Sequence, residues 1–511
     1  MSLACLATRA VLGMDSPLVT VEVHASNGLP AFSIVGLPEA SVKESKDRVR
    51  SALLSSGFKL PPKRITVNLA PADLPKSGGR YDLAIAIGLL IATEQLQVDN
   101  LSEFEFFGEL ALTGEVREIK GSISSLLASY AANKKIIIPN DNLNEALLIL
   151  QTYPELKNSI YVVQDLREAC RVLLGEISAV SSLPEIESLD YDYLEDMADV
   201  KGQIQAKRAL EISASGHHSM MMVGPPGSGK SMLAARLVTI LPKLSAQEAV
   251  EAASIRSLAG QAITQQDFYQ RPFIHPHHTA SAASMVGGGT NPKPGALSLA
   301  HNGILFLDEL PEFNQAVLEA LREPLETKSV NISRVNQHVQ FPANSLLITA
   351  MNPSPSGYFA DDALGRCKDT PDQILRYQKK VSGPLLDRID LHLEVPAVDI
   401  LELQVTENSP KQESSIQIRK RVESVRRVQL ERQGCFNSQL SVSDLTQIIM
   451  LDDACQKLIE KAVSDLGLSA RGYHRVMRVA RTIADMQNTQ NIRTQHLAEA
   501  LSYRAVSKAF S

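Results

Sequence analysis

The strongest constraint on this chain is the stretch Gly224-Pro225-Pro226-Gly227-Ser228-Gly229-Lys230-Ser231. It fits G-x-x-x-x-G-K-[ST] and follows directly on the short apolar run Met220–Val223. A helix is expected next, with Leu233, Leu237 and Leu241 on one face. Strand, glycine-rich loop and helix in that order make a phosphate cradle. Glycines let backbone N–H groups close on phosphate oxygens, and the helix N-terminus adds positive potential. In such a cradle Lys230 pairs with the outer phosphates and the Ser231 hydroxyl coordinates Mg²⁺. The expected cofactors are ATP and Mg²⁺.

Further apolar strands end in matching chemistry. Ile304-Leu305-Phe306-Leu307 runs into Asp308-Glu309. Asp308 suits the metal shell, and Glu309 suits the group that orients or deprotonates an attacking water. Ser345-Leu346-Leu347-Ile348-Thr349-Ala350 is a third apolar strand, with Asn352 just past its end. An amide there can hold the same water or the γ-phosphate. In a parallel sheet, ligands sit at the carboxyl ends of strands.

At 511 residues the chain is too long for one ordinary core. Residues 1–175 read as an α/β unit, with strands at Val19–His24, Ala31–Val35, Arg64–Leu69 and Lys135–Pro139. Helical spacing covers Ala40–Ser55, Tyr81–Ala92 and Ile123–Ala132, and a further strand is expected within Gly108–Val116. Residues 176–195 are a linker, rich in Ser and acidic side chains from Ser178 to Asp192. Residues 196–396 form the nucleotide-binding unit. Residues 397–511 are helical by pattern, after a polar connection around Glu407–Ser415. The formal net charge of -6 means that any DNA contact is a local patch. The five cysteines are dispersed with no CxxC pair, which suits a reducing compartment. The amino terminus lacks a basic start followed by a long apolar core, and Leu83–Ala92 is too short to span a bilayer. A cytoplasmic protein with no membrane partner is expected.

The motifs around the phosphate loop resemble the AAA+ superfamily. Arg271-Pro272-Phe273, His275-Pro276-His277-His278-Thr279, Gly287-Gly288-Gly289 and the run Leu299–Phe313 around Asp308-Glu309 are similar to the magnesium-chelatase-like group. Within it the chain resembles the ComM/YifB family over essentially its whole length. The resemblance implies an α/β fold: a P-loop parallel sheet sandwiched by helices, an N-terminal Lon-protease-like α/β domain and a C-terminal helical lid. It implies a homo-hexameric ring with helicase or branch-migration activity on single-stranded and branched DNA, promoting integration of DNA during natural transformation. By the same resemblance, Val200 and Gly202 lie where such ATPases hold adenine. Arg388, in Ser382–Asp390, is similar to an arginine finger reaching a neighbour's γ-phosphate, worth ~10³–10⁵ in rate. Arg471, in Ser469-Ala470-Arg471-Gly472, resembles a second-sensor arginine on the nucleotide phosphates.

Many members of that family carry a four-cysteine insert after the position of Asn352-Pro353; here only Cys367 is nearby, and no zinc site is expected. The His275, His277 and His278 group is structural or channel-lining. In the first domain, Gly108–Ile123 is close to a Lon-type signature, but Arg80 stands where the serine nucleophile is expected and Ser124 where the lysine is expected. Ser77 and Lys120 lie at the wrong offsets. The domain reads as non-proteolytic. Lys63, Arg64, Lys76 and Arg80 either bind phosphate or form a solvated surface.

Val330–Phe341 alternates about a polar centre and reads as a β-hairpin. In helicases similar to this group such a hairpin enters the ring channel, with Arg334 as its cation and Lys293 on the neighbouring loop Gly287–Gly295. Both would grip backbone phosphate. Arg419, Lys420, Arg421, Arg426 and Arg427 are either a DNA contact or a solvated helix face. The rival function is a chelatase-type ATPase chaperone. A protease is disfavoured by the missing Ser–Lys pair.

Overall fold

Five parallel strands organise the nucleotide-binding unit. Their order is Phe273–Ile274, Ile304–Leu307, Leu346–Met351, Met220–Val223, Leu391–Glu394. The three strands flagged in the sequence are the middle ones and are buried along their whole length. Because side chains alternate across a strand, one sheet feeds two cores. Met220, Met222, Ile304 and Phe306 join one apolar cluster, while Met221, Val223, Leu305 and Leu307 join the other. The first cluster also takes in helices Ile204–Gly216, Lys230–Ile240, Ser415–Gln433 and Ala470–Met486. The C-terminal helices are thus packed on the sheet. The second cluster is closed by the hairpin Ser329–Arg334 and Gln337–Pro342.

The computed structural model describes residues 3–180, 193, 195–289, 291–334, 337–359, 362, 364–397 and 412–505. Most of the expected linker and of the polar connection around Glu407–Ser415 lies outside the described residues. Among the described residues no helix is long and apolar enough to cross a membrane.

Ahead of the linker lies a seven-stranded mixed sheet. Helix Asp82–Ala92 crosses it with every residue but Ile91 buried. Its buried first residue, Asp82, is held by Arg48 Nε at 2.6 Å. The expected strand in Gly108–Val116 is instead a tight hairpin of Glu109–Leu110 with Val116–Arg117, closed by Gly114 at φ +92°. This domain docks on the next one. Helix Ser122–Ala131 packs against Ala246–Ala259, and the Leu12–Met14 turn packs into the second core. Gly13, at φ +62°, lies so close to Val339 of the hairpin that a Cβ there would collide with it.

Several cations are not where a sequence places them. Lys76 is fully buried and donates to the carbonyls of Gly36 and Pro71. Arg80 is buried, donating to the carbonyls of Arg9 and Lys120 at 3.2 and 2.8 Å. Neither forms a solvated surface: Lys76 is enclosed by its carbonyl partners, and Arg80 lines a cavity of about 450 Å³. Arg80 also reaches Ser125, not Ser124, at 3.3 Å. On helix Ser415–Gln433, Arg419 donates to the Thr239 carbonyl, Arg421 pairs with Glu211 and Glu413, and buried Arg426 donates to the Ala214 carbonyl. These three pack the helix onto the five-stranded unit; Lys420 and Arg427 stay exposed.

His392, in the last sheet strand, is 1 % exposed, and burial pushes its imidazole down to about 3. The unfolded chain binds a proton near 6.5, so between roughly pH 6.5 and 3 the unfolded state holds more protons. Stability therefore rises with pH across that window. His392→Leu should remove about 1.4 kcal/mol per pH unit from the slope of unfolding free energy, measured by urea titration, between pH 6.5 and 4.

Candidate nucleotide site

The phosphate loop leaves the carboxyl end of Met220–Val223 wedged between neighbouring strands. The Gly224 amide donates to Met351 O at 3.2 Å, and a Cβ at Gly224 would collide with the Val395 carbonyl. Gly227 and Gly229 turn the loop at φ +77° and +87°, and Lys230 opens the helix. Lys230 is 8 % exposed. Its ammonium donates to Gly224 O at 2.8 Å, Pro225 O at 3.0 Å and Asn352 Oδ1 at 3.3 Å. Burial lowers its pKa, while Asp308 and Glu309 oppose the shift. The Ser231 hydroxyl donates to Asp308 Oδ2 at 2.6 Å. Two hard oxygen donors therefore meet at the mouth of the loop, a set suited to Mg²⁺.

Glu309 holds a left-handed backbone at φ +52°, a costly conformation for a side chain that is half exposed. Its carboxylate lies 3.1 Å from His278 Nδ1. The His277 and His278 rings meet at a tilt with centroids 4.2 Å apart, and His275 lies against Phe306 at 4.8 Å. Among the described residues no cluster of His, Cys, Asp and Glu could hold a metal by itself. Beside the loop, Val200 is buried and Gly202 turns at φ +59°. Gln203 then reaches Pro396 O at 2.8 Å and Ser228 O at 3.4 Å. Lys230, Ser231, Asp308, Glu309, Asn352, Val200 and Gly202 are therefore gathered around the carboxyl edge of one sheet.

Arg388 and Arg471 are elsewhere. They line a cavity of about 470 Å³ with Ser219, Ser345 and Asp390, which stand at the amino ends of three of the same strands. A four-residue strand spans roughly 13 Å. Neither arginine is brought to the phosphate loop of its own chain. Arg388 pairs with Glu326 at 2.7 Å and donates to Pro384 O at 2.7 Å. Sequence reasoning missed Arg475 and Arg478, which line the same cavity. The signal was available: Arg471, Arg475 and Arg478 follow helical spacing on one face of Ala470–Met486. Lys328, also lining it, carried no signal.

Lys293 is exposed on a short ribbon in which Gly287–Gly288 pairs with Lys293–Pro294. Arg334 pairs with Gln337 near the hairpin tip, and its side chain lies outside the described residues.

Three family profiles match the chain. Residues 196–403 match "Magnesium chelatase, subunit ChlI". Residues 21–142 match "Subunit ChlI of Mg-chelatase", and 412–504 match the ChlI C-terminal profile. The chain is 48% identical over 510 residues to the competence protein ComM of Haemophilus influenzae, covering 99% of this chain and 98% of that one. It is 46% identical to the YifB protein of Escherichia coli, with the same coverage. A more distant likeness, 23% over 248 residues, is to the DNA replication licensing factor mcm6 of Dictyostelium discoideum; it covers 48% of this chain and 23% of that one.

If Lys230 anchors a triphosphate, Mg²⁺ and ATP at about 100 times the dissociation constant should stabilise the protein by about 2.7 kcal/mol. Differential scanning fluorimetry should show that shift in the unaltered chain and none in Lys230→Ala.

Proposed function

We propose that this chain, which belongs to the ComM/YifB family of proteins with magnesium-chelatase-like domains, is an ATP-driven DNA motor. It works as a hexameric ring in the cytoplasm, binds single-stranded DNA, and migrates or unwinds branched DNA as incoming DNA recombines. The observation that carries this reading is the division of the sheet. One edge gathers Lys230, Ser231, Asp308, Glu309 and Asn352, and the other holds a cavity lined by exposed Arg471 and by Arg388, which is paired with Glu326. A site divided in this way is completed by a second copy.

Lys230 holds the outer phosphates, and Ser231 and Asp308 hold the metal. Mg²⁺, when bound, neutralises charge developing on the phosphate oxygens. Glu309 takes the proton of the attacking water, and Asn352 positions that water or the γ-phosphate. Val200 and Gly202 border the base. Arg388 and Arg471 approach the triphosphate of the adjoining subunit. Hydrolysis then shifts one subunit against the next and carries Arg334 and Lys293 along the DNA backbone. Supporting the DNA substrate are the competence role in the name of the Haemophilus relative and the distant likeness to a replication licensing factor. The amino-terminal domain is read as a degenerate, non-proteolytic Lon-type domain serving assembly or DNA contact, with buried Arg80 in the nucleophile's place.

A second reading, a chelatase-type ATPase remodeller, draws on the descriptions of the matching profiles. DNA separates the two. A motor shows ATPase stimulated by forked or junction DNA and displaces strands from three- and four-way junctions with ATP and Mg²⁺. Turnover indifferent to every DNA form would leave only the remodeller. Glu309→Gln should keep ATP binding and lose hydrolysis by about 10² or more. Arg334→Ala should lose strand displacement and keep basal turnover.

A further inference from the structure

The amino edge of the ATPase sheet holds more positive charge than Arg388 and Arg471 account for. Five cations line its cavity: Lys328, Arg388, Arg471, Arg475 and Arg478. Two carboxylates face them, and both are engaged. Glu326 pairs with Arg388. Asp390 pairs with Arg475, sits 3.3 Å from His218, and accepts from the Ser219 amide at 3.2 Å.

Lys328 and Arg478 are left over. Among the described residues neither has a carboxylate within ion-pair distance. Arg478 donates to the Leu440 carbonyl, and its Nε is buried without a hydrogen-bond partner. On the same wall Ser345 Oγ and His217 Nε2 also lack partners, and Ser345 is 3 % exposed. An unmet buried polar group loses its hydration without compensation. Lys328 and His217 add backbone strain, each in the left-handed region at φ +57° just past a helix end. Glycine would take those positions without strain. The unmet Arg478 Nε donor and the uncompensated Lys328 ammonium, beside unpartnered Ser345 and His217 around a cavity of about 470 Å³, call for a ligand rich in acceptor oxygens.

We propose that Lys328 and Arg478 are phosphate-binding residues that, beside Arg388 and Arg471, receive the terminal phosphates of the nucleotide held by an adjoining copy of this chain. The inference rests on the reading of Arg388 as acting between subunits. It adds ligands on helix Ala470–Met486 and at the base of the hairpin, where Lys328 immediately precedes Ser329–Arg334. Phosphate contact at Lys328 would thus bear directly on the ribbon proposed to grip DNA.

The test uses the full chain with ATP, Mg²⁺ and junction DNA. Lys328→Met and Arg478→Gln should each lower kcat at least about tenfold, as expected for loss of a charged phosphate contact. Affinity for a fluorescent ATP analogue, set by the Lys230 loop, should stay within about threefold. Lys328→Arg should recover most of the rate. Mixing Lys328→Met with Lys230→Ala chains should restore turnover, because one interface then pairs an intact loop with an intact Lys328. The proposal is overturned if Lys328→Met keeps kcat within about twofold of the unaltered chain. It is also overturned if that mixture stays inactive while Arg388→Ala mixed with Lys230→Ala recovers. If the Arg388→Ala mixture also stays inactive, the reading of an active site shared between subunits falls and takes this inference with it. Should Arg478→Gln fail to fold, by circular dichroism and sedimentation, the two Lys328 variants decide.

Discussion

Parallel pairing of five short strands is the constraint on which the rest of this molecule depends. It aligns every carboxyl end on one side, so residues far apart in the chain arrive together without long side chains having to search for one another. Ser231 and Asp308 are 77 positions apart and meet at 2.6 Å. Lys230 and Asn352 are 122 apart and meet at 3.3 Å. The pairing also aligns every amino end on the opposite side. There the strand starts Ser219, Ser345 and Asp390 floor a cationic cavity. One sheet therefore presents the Asp308–Glu309 pair at one rim and a group of cations at the other.

Burial sets the energetics at the acidic rim. An ammonium as enclosed as that of Lys230 loses solvation, and its carbonyl and amide partners return part of that loss. A triphosphate entering the loop brings a full negative charge to a cation already stripped of water, so the interaction is stronger than it would be at the surface. Glu309 is set differently. It stays half exposed, held on a strained backbone and beside His278, where it can meet a water.

How far this could be read from sequence depended on distance along the chain. The phosphate loop is legible because strand, turn and helix are contiguous. Asp308, Glu309 and Asn352 are legible because each directly follows an apolar run whose burial is itself visible. The hairpin is legible from alternation. Arg388 and Arg471 could be singled out, but not the edge they occupy, because that depends on how the C-terminal helices pack against the sheet. Arg80 and Lys76 show the opposite failure. A cation capped by backbone carbonyls inside a domain looks, in sequence, like one waiting for a phosphate. Arg419, Arg421 and Arg426 mislead for the same reason: a run of charge on a helix does not say whether carboxylates and carbonyls await it across an interface.

The turn at Gly13 has a mechanical implication. It meets Val339 at a separation that leaves no room for even one methyl group, so the ribbon's flank and the first domain's turn have no slack between them. A displacement of that ribbon cannot stay local: it either carries the turn, and with it the seven-stranded sheet, or parts the turn from Val339.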